Sequence, residues 1–226
     1  PVIMRAHNAE HVIWSNLAYA EKNPLRRSLF RYMAGRIRKY ELEVLASSSA
    51  CACISNDDIV ALRNAGAYTH LYHAPFGMAM DAGEELDEGG PDHEIYHIGS
   101  MEWLPHREAM AWFLAEVWPA VHAADPRIQC HLAGKGLERI IPGLDQPGIV
   151  VHTGPIDARE FARLRPILIA PSFSGSGIMV KVVEGMTMGK AIVTTPNGAR
   201  GLSSEHGRNM MVSANPNDWV EWIVAL

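Results

Sequence analysis

The sequence predicts an α/β fold with a parallel sheet, and three observations carry that prediction. Strand-like runs at 94–98, 128–133, 148–153, 166–170 and 191–195 alternate with helical patterns at about 106–121, 157–164 and 178–188, as βαβ units require. The acidic, Gly-rich stretch DAGEELDEGGPD at 81–92 separates this regular part from a shorter N-terminal part. The chain has 226 residues, 48% of them apolar and 20% charged, which is enough for one to two packed cores and is not the composition of a disordered chain.

The elements follow in order. Val2 to Ala6 reads as a strand ending at His7-Asn8, and a helix runs from about Glu10 to Lys22. Asn23 and Pro24 form an N-cap and first-turn pair for a helix reaching about Leu45. Leu25, Leu29, Phe30, Met33, Ile37 and Tyr40 give that helix a single apolar stripe, and six Arg and Lys residues make it basic. Cys51 to Ile54 is a short strand, with Cys51 and Cys53 expected on opposite faces. Ser55 then caps a helix over 56–64, with Gly66 beyond its end. Leu71 to Ala74 is a further strand candidate. After the regular βαβ region, Met210 to Ser213 forms a short strand. A helical pattern with Trp219, Val220, Trp222 and Ile223 then runs to Leu226 without a C-terminal cap. That ending, and the opening on Pro1, are expected of a piece of a longer protein.

Composition excludes several classes. A net charge of −5 argues against a general nucleic-acid binder. Three cysteines without ligand spacing exclude a disulfide scaffold and give no structural zinc motif. His70, His73, His93 and His97 do not have the spacing of a helical metal pair, so no metal is expected. No apolar run approaches the roughly 20 residues of a membrane span, and no signal peptide is visible. A cytoplasmic location is expected.

The segment PSFSGSGIMVKVVEGMTMGKAIVTT, 171–195, is where chemistry is expected. Ser174, Gly175, Ser176 and Gly177 form a small-residue loop between a strand and a helix. Backbone N–H groups of such a loop approach a ligand closely, and the helix N-terminus favours an anion, so phosphate suits it. Gly177, Lys181, Glu184 and Met188 are spaced four, three and four apart, which puts them on one stripe. Lys181 can meet phosphate charge, and Glu184 can accept from ribose hydroxyls. The plain alternative is a glycine turn followed by a surface ion pair.

GSGIMVKVVEGMTMGKAIVTTPNGARGL resembles the donor-binding segment of glycosyltransferase family 4, the group 1 glycosyltransferases of GT-B fold. The matching positions are Gly175, Gly177, Lys181, Glu184, Met186, Gly189, Lys190, Thr194, Gly198, Gly201 and Leu202. RAHNAEHVIW (5–14), CISNDD (53–58), HAPFGM (73–78) and IGSMEWLPHREAMAWF (98–113) are similar, in order, to further family segments. The resemblance implies two Rossmann-like domains. Residues 1–80 would be the rear part of an acceptor-side domain, 81–93 a linker, and 94–226 the sugar-nucleotide domain, truncated at its end.

The implied activity is transfer of a hexosyl group from a nucleoside diphosphate sugar to a hydroxyl acceptor, with retention, in cell-surface polysaccharide or glycolipid synthesis. No cofactor or metal is implied beyond the donor. The piece by itself is expected to be nearly inactive. The resemblance casts His7 as a cleft histidine beside the reacting sugar, with Glu10 either orienting it or favouring the helix dipole. Ser174, Gly175, Ser176, Gly177, Lys181 and Glu184 would bind the donor, and Lys181 would also serve the leaving diphosphate. Arg107, with His106 beside it, offers a phosphate contact. Ser176 stands where the family's first glutamate would be. The basic helix 24–39 is either a solvated face or a surface for anionic lipid headgroups, which a lipid-linked acceptor would require. The alternatives are a non-catalytic nucleotide-sugar-binding module and another GT-B enzyme of epimerase or phosphorylase type.

Overall fold

The computed structural model describes residues 1–78, 93–137, 144–174, 177–202 and 204–226. The expected linker thus lies outside the described residues except at its last position. The chain divides into two compact units. The first comprises Pro1–Gly77 with Ser174–Ile178 and Arg200–Leu202, and the second the remainder from Met78 onward.

In the first unit, β1 (Ile3–Ala6), β2 (Ala50–Cys53) and β3 (His70–His73) form a parallel sheet in that order. Ile3 pairs with Ala50, and Ala50 with His70. The helices are α1 (Glu10–Ala20), α2 (Pro24–Ala46) and α3 (Asn56–Ala65). Asn23 Oδ1 accepts from the N–H groups of Leu25 and Arg26. Ser55 Oγ accepts from Asp58 N, and Gly66 ends α3 at φ +103°. Both caps are those the sequence signals.

The start of α1 is held differently, because Ala9 has no capping group. Asp58 Oδ1 accepts from Ala9 N at 3.0 Å, and the buried Glu41 carboxylate accepts from Glu10 N and His11 N at 2.6 and 3.2 Å. Two carboxylates from elsewhere in the chain thus satisfy the orphan N–H groups that follow His7-Asn8.

Two expectations change. The apolar stripe of α2 divides: Phe30, Met33 and Ile37 are half-buried, whereas Leu25, Leu29 and Tyr40 are exposed. Helix α1 covers only one side of a 23-residue helix. Cys51 and Cys53 share one face, both buried with Sγ atoms 3.8 Å apart, because residues two apart on a strand point the same way.

The second unit has a parallel sheet of β4 (Glu94–Ile98), β5 (Gln129–Ala133), β6 (Ile149–His152), β7 (Ile167–Ala170), β8 (Ala191–Thr194) and β9 (Met211–Val212), in the order β6-β5-β4-β7-β8-β9. Strand order reverses between β4 and β7, which makes that gap the topological switch point. Among the described residues the α-helices are α4 (Leu104–Trp112), α5 (Trp118–Ala124), α6 (Ala158–Arg163), α7 (Val180–Thr187) and α8 (Pro216–Ala225).

The single helix expected over 106–121 is interrupted by a π-helical turn, Phe113–Val117, where Trp118 N–H reaches back to Phe113 O. Pro119 is the cause: it lacks an N–H, and its ring would strike the carbonyl four residues back in an unbroken α-helix. Phe113, Val117, Trp118 and Trp219 fill the core beneath.

A polar cluster away from that core ties three strands, β4, β5 and β6, to Arg165 just before β7. Arg165 donates to Phe161 O and His131 Nδ1, and its Nε lies 3.5 Å from Glu94 Oε2. His131 and His152 bond at 2.9 Å. Burial and the Arg165 charge keep His131 neutral, its pKa lowered to about 4.

Candidate functional site

In the second unit a second polar cluster, His97, His106 and Lys181, stands at the carboxyl ends of β4 and β7, the end where open α/β sheets bind ligands. Backbone pairing between these strands is Ile95 with Ile167 and Tyr96 with Leu168. One residue further on, the His97 side chain bridges the gap instead. Its Nδ1–H donates to Ile169 O at 2.9 Å. A carbonyl has no proton to give, so Nδ1 carries the hydrogen and Nε2 a lone pair. Lys181 Nζ, from α7, stands 3.3 Å from that Nε2 and donates to it.

Three groups enclose the Lys181 amine. His97 lies on one side. His106 on α4 is close enough for the Lys181 charge to depress its basicity, and its Nδ1–H donates to Ser100 O at 3.1 Å. The Gly99 peptide closes the third side: a Cβ there would stand 2.6 Å from Nζ and 3.4 Å from each imidazole. Gly99 is itself pressed against the next loop. Its N–H donates to Ala133 O, and a Cβ on Gly134 (φ +141°) would stand 1.9 Å from its carbonyl oxygen.

The electrostatics follow from burial. Lys181 has its pKa lowered from 10.5 to about 7 by burial, with the nearby Glu184 carboxylate partly opposing this. His97 is held well below 6.5 by burial and the Lys181 charge, and His106 is lowered to about 4 by the same two causes. Both imidazoles are therefore neutral at pH 7. Glu184, one turn after Lys181, is half-buried. Burial and the Glu184 charge raise the Tyr96 phenol. The result is a half-buried amine whose proton affinity a bound anion would restore, next to an acidic side chain on the same helix face.

The loop after β7 is braced against the end of β8. Ser172 N–H donates to Thr195 Oγ1 at 3.1 Å, Thr195 Oγ1–H donates to Ser172 O, and Asn197 Nδ2 donates to Ser172 Oγ. Thr194 Oγ1 donates to Ala170 O, and a Cβ on Gly198 would stand 2.1 Å from that hydroxyl. Ser174 is half-buried at the loop's start. Gly175 and Ser176, the centre of the expected phosphate loop, lie outside the described residues. Gly177 has φ +78°, which favours glycine, and α7 begins three residues later at Val180.

Within the first unit, Gly177 packs onto the end of β1: a Cβ there would stand 2.1 Å from Asn8 Oδ1 and 2.8 Å from His7 O. His7 itself is exposed. Glu10 accepts from Asn8 Nδ2 at 3.2 Å, so Asn8, rather than His7, is the residue it holds. Arg200 Nε donates to Asp57 Oδ2 at 2.8 Å in the same unit.

The structure thus joins Lys181 to Glu184 as the spacing implies, and adds His97, His106 and Gly99 to them. Arg107 is half-buried on α4, directly after His106. Among the described residues no group of three or more His, Cys, Asp or Glu side chains is placed to hold a metal ion. A cavity of about 310 Å³ lined by His93, Asp125, Arg127 and Leu226 sits at the amino ends of the strands, away from these groups. One signal for His97 was present in the sequence: a histidine near the end of a mostly apolar strand, two residues before a Gly-Ser pair.

The family model for glycosyl transferases group 1 matches residues 92–226, more than half of the chain. The chain belongs to this family. Among curated proteins it is 21% identical over 220 residues to an uncharacterized 44.6 kDa protein in the cps region of Klebsiella pneumoniae, covering 93% of this chain and 55% of that protein. Among solved structures, HepE of Anabaena in complex with UDP-glucose is similar over 100% of this chain and 62% of its own, with TM-score 0.70 and 15% identity. TarM of S. aureus, solved as a variant with fondaparinux, α-GlcNAc-glycerol and UDP, is similar over 84% of this chain and 39% of its own, with TM-score 0.67 and 13% identity. The fold is that of GT-B proteins, built from Rossmann-like α/β units with parallel sheets. The chain spans about half the length of the curated relative and between two fifths and two thirds of these solved ones.

Proposed function

We propose that the chain is the nucleotide-sugar-binding part of a retaining hexosyltransferase that uses a nucleoside diphosphate sugar and a hydroxyl acceptor. The observation that carries this is Lys181, a half-buried amine at the switch point of the donor-side sheet with Glu184 one turn away. In this reading 94–226 forms the sugar-nucleotide domain and 1–80 the rear part of the acceptor-side domain. Lys181 and the loop Ser174, Gly175, Ser176, Gly177 take the diphosphate, with Arg107 as a further contact. Glu184 accepts from the ribose hydroxyls, and His7 faces the reacting sugar.

The bond from sugar C1 to the diphosphate oxygen breaks as the bond to the acceptor oxygen forms, and the acceptor hydroxyl's proton passes to the departing diphosphate. Charge then grows on the diphosphate and on an oxocarbenium-like ring. An ammonium waiting in a low-dielectric site stabilises the first of these with little reorganisation. The solved neighbours hold UDP or UDP-glucose, which makes UDP the first nucleotide to test.

The acceptor in this reading is a growing surface glycan or a lipid-linked one, met in the cytoplasm at the inner membrane face. Among the described residues no helix is long and apolar enough to cross a membrane. The outer side of α2 suits peripheral contact: Leu25, Tyr32 and Tyr40 are 81, 59 and 68% exposed, among the exposed Arg26, Arg31, Arg36 and Lys39.

Calorimetry of the chain with UDP tests the donor site. Lys181→Met and Glu184→Ala should each weaken binding at least about tenfold, the usual weight of hydrogen bonds to a charged group. Unchanged affinity in Lys181→Met would remove the phosphate assignment, and in Glu184→Ala the ribose assignment. A labelled UDP-sugar given to the whole protein with acceptor lipids separates transfer from epimerisation and from binding without turnover. Residues 1–226 alone should transfer little sugar.

A further inference from the structure

We propose that His97 is a positioning residue for the donor diphosphate: it holds the Lys181 ammonium at the mouth of the β4–β7 gap by accepting its hydrogen bond through Nε2. This rests on the assignment of Lys181 to the diphosphate and adds a residue that the motif does not contain.

The geometry leaves the imidazole one role. Its Nδ1–H is committed to Ile169 O at 2.9 Å, which fixes both the ring plane and the tautomer. Nε2 is thereby an acceptor, aimed at Lys181 Nζ 3.3 Å away. The ring is almost wholly buried, at 1% exposure, so it does not swing to solvent. A lysine stem has four rotatable bonds and ordinarily spreads its amine over many positions. Here Gly99 and His106 limit the space on two sides and His97 supplies the bond on the third.

A neutral acceptor also suits the task better than a carboxylate. It orients the amine without forming an ion pair with it, so the charge the amine carries when an anion binds is not already offset by His97. His97 acts through Lys181 and does not itself touch the donor.

Three substitutions separate the two bonds of the ring. In His97→Gln the amide oxygen reaches the Nε2 position and can still accept from Lys181. In His97→Asn the amide nitrogen reaches the Nδ1 position and keeps only the bond to Ile169 O. His97→Phe keeps the volume and neither bond. Affinity for UDP is measured by calorimetry, with thermal unfolding of each variant alongside.

His97→Gln should bind within about twofold of the wild type, whereas His97→Asn and His97→Phe should weaken UDP at least about fivefold. Wild-type affinity in His97→Asn, or equal loss in His97→Gln and His97→Phe, would overturn the proposal. So would losses of affinity that merely follow losses of melting temperature. Should the Asn or Phe variant not fold, Gly99→Ala displaces the amine with His97 intact, its Cβ falling 2.6 Å from Nζ. It should show the same loss, and wild-type affinity there would overturn the proposal equally. UDP binding that depends on Lys181 but not on His97 defeats this proposal alone. An absence of UDP binding in the wild type defeats the donor-site assignment beneath it.

Discussion

Raising the pH from 7 to 8.5 should weaken UDP binding by a calculable amount. In the free protein the Lys181 amine has its pKa lowered to about 7. It is half protonated at pH 7 and about 3% protonated at pH 8.5. A diphosphate against it favours the ammonium and restores a pKa near the ordinary 10.5. Binding therefore takes up a proton, about one half at pH 7 and nearly a whole one at pH 8.5. The sign follows: the bound state holds more protons, so affinity falls as pH rises, by about 16-fold over that interval.

The two imidazoles facing the amine do not titrate there. His97 and His106 are already neutral, the first well below its ordinary value and the second lowered to about 4. The terminal phosphate of UDP loses its last proton near about pH 6. The assay is calorimetry in two buffers of different ionisation enthalpy, which reads the proton count directly. Affinity independent of pH between 7 and 8.5, with no proton uptake, would show that the Lys181 amine does not meet the diphosphate.

Two further outcomes concern stability. Gly134→Ala places a Cβ 1.9 Å from the Gly99 carbonyl oxygen at φ +141°, so the two loops must part. Thermal unfolding should drop by at least about 4–8 °C, for a cost of about 2 kcal/mol or more in a chain of this size. Glu41→Ala removes the carboxylate that accepts from Glu10 N and His11 N, and should cost about 1.5–3 kcal/mol in denaturant unfolding, with α1 the first element to lose hydrogen-exchange protection.

The sequence by itself determined the elements and the family motif. The alternation of apolar strands with helices, the caps at Asn23 and Ser55, and the stripe from Lys181 to Glu184 are local patterns, fixed by residues within a few turns of each other. Such patterns survive without any knowledge of the partner surface. Only the tertiary structure decided what lies across from them. Nothing local says that the outer half of the α2 stripe stays exposed, because that depends on how much of the helix α1 can cover. Nothing local says that α1 is capped by Asp58 and Glu41, which come from 49 and 31 residues further along the chain. The candidate site divides in the same way. Lys181 and Glu184 are neighbours by helical period, whereas His97 reaches Lys181 from 84 residues away. Strand order puts β4 beside β7, and their pairing ends at Tyr96 and Leu168, beyond which the His97 side chain bonds Ile169 O. The lysine came from the motif, and the burial that sets its charge came from the fold.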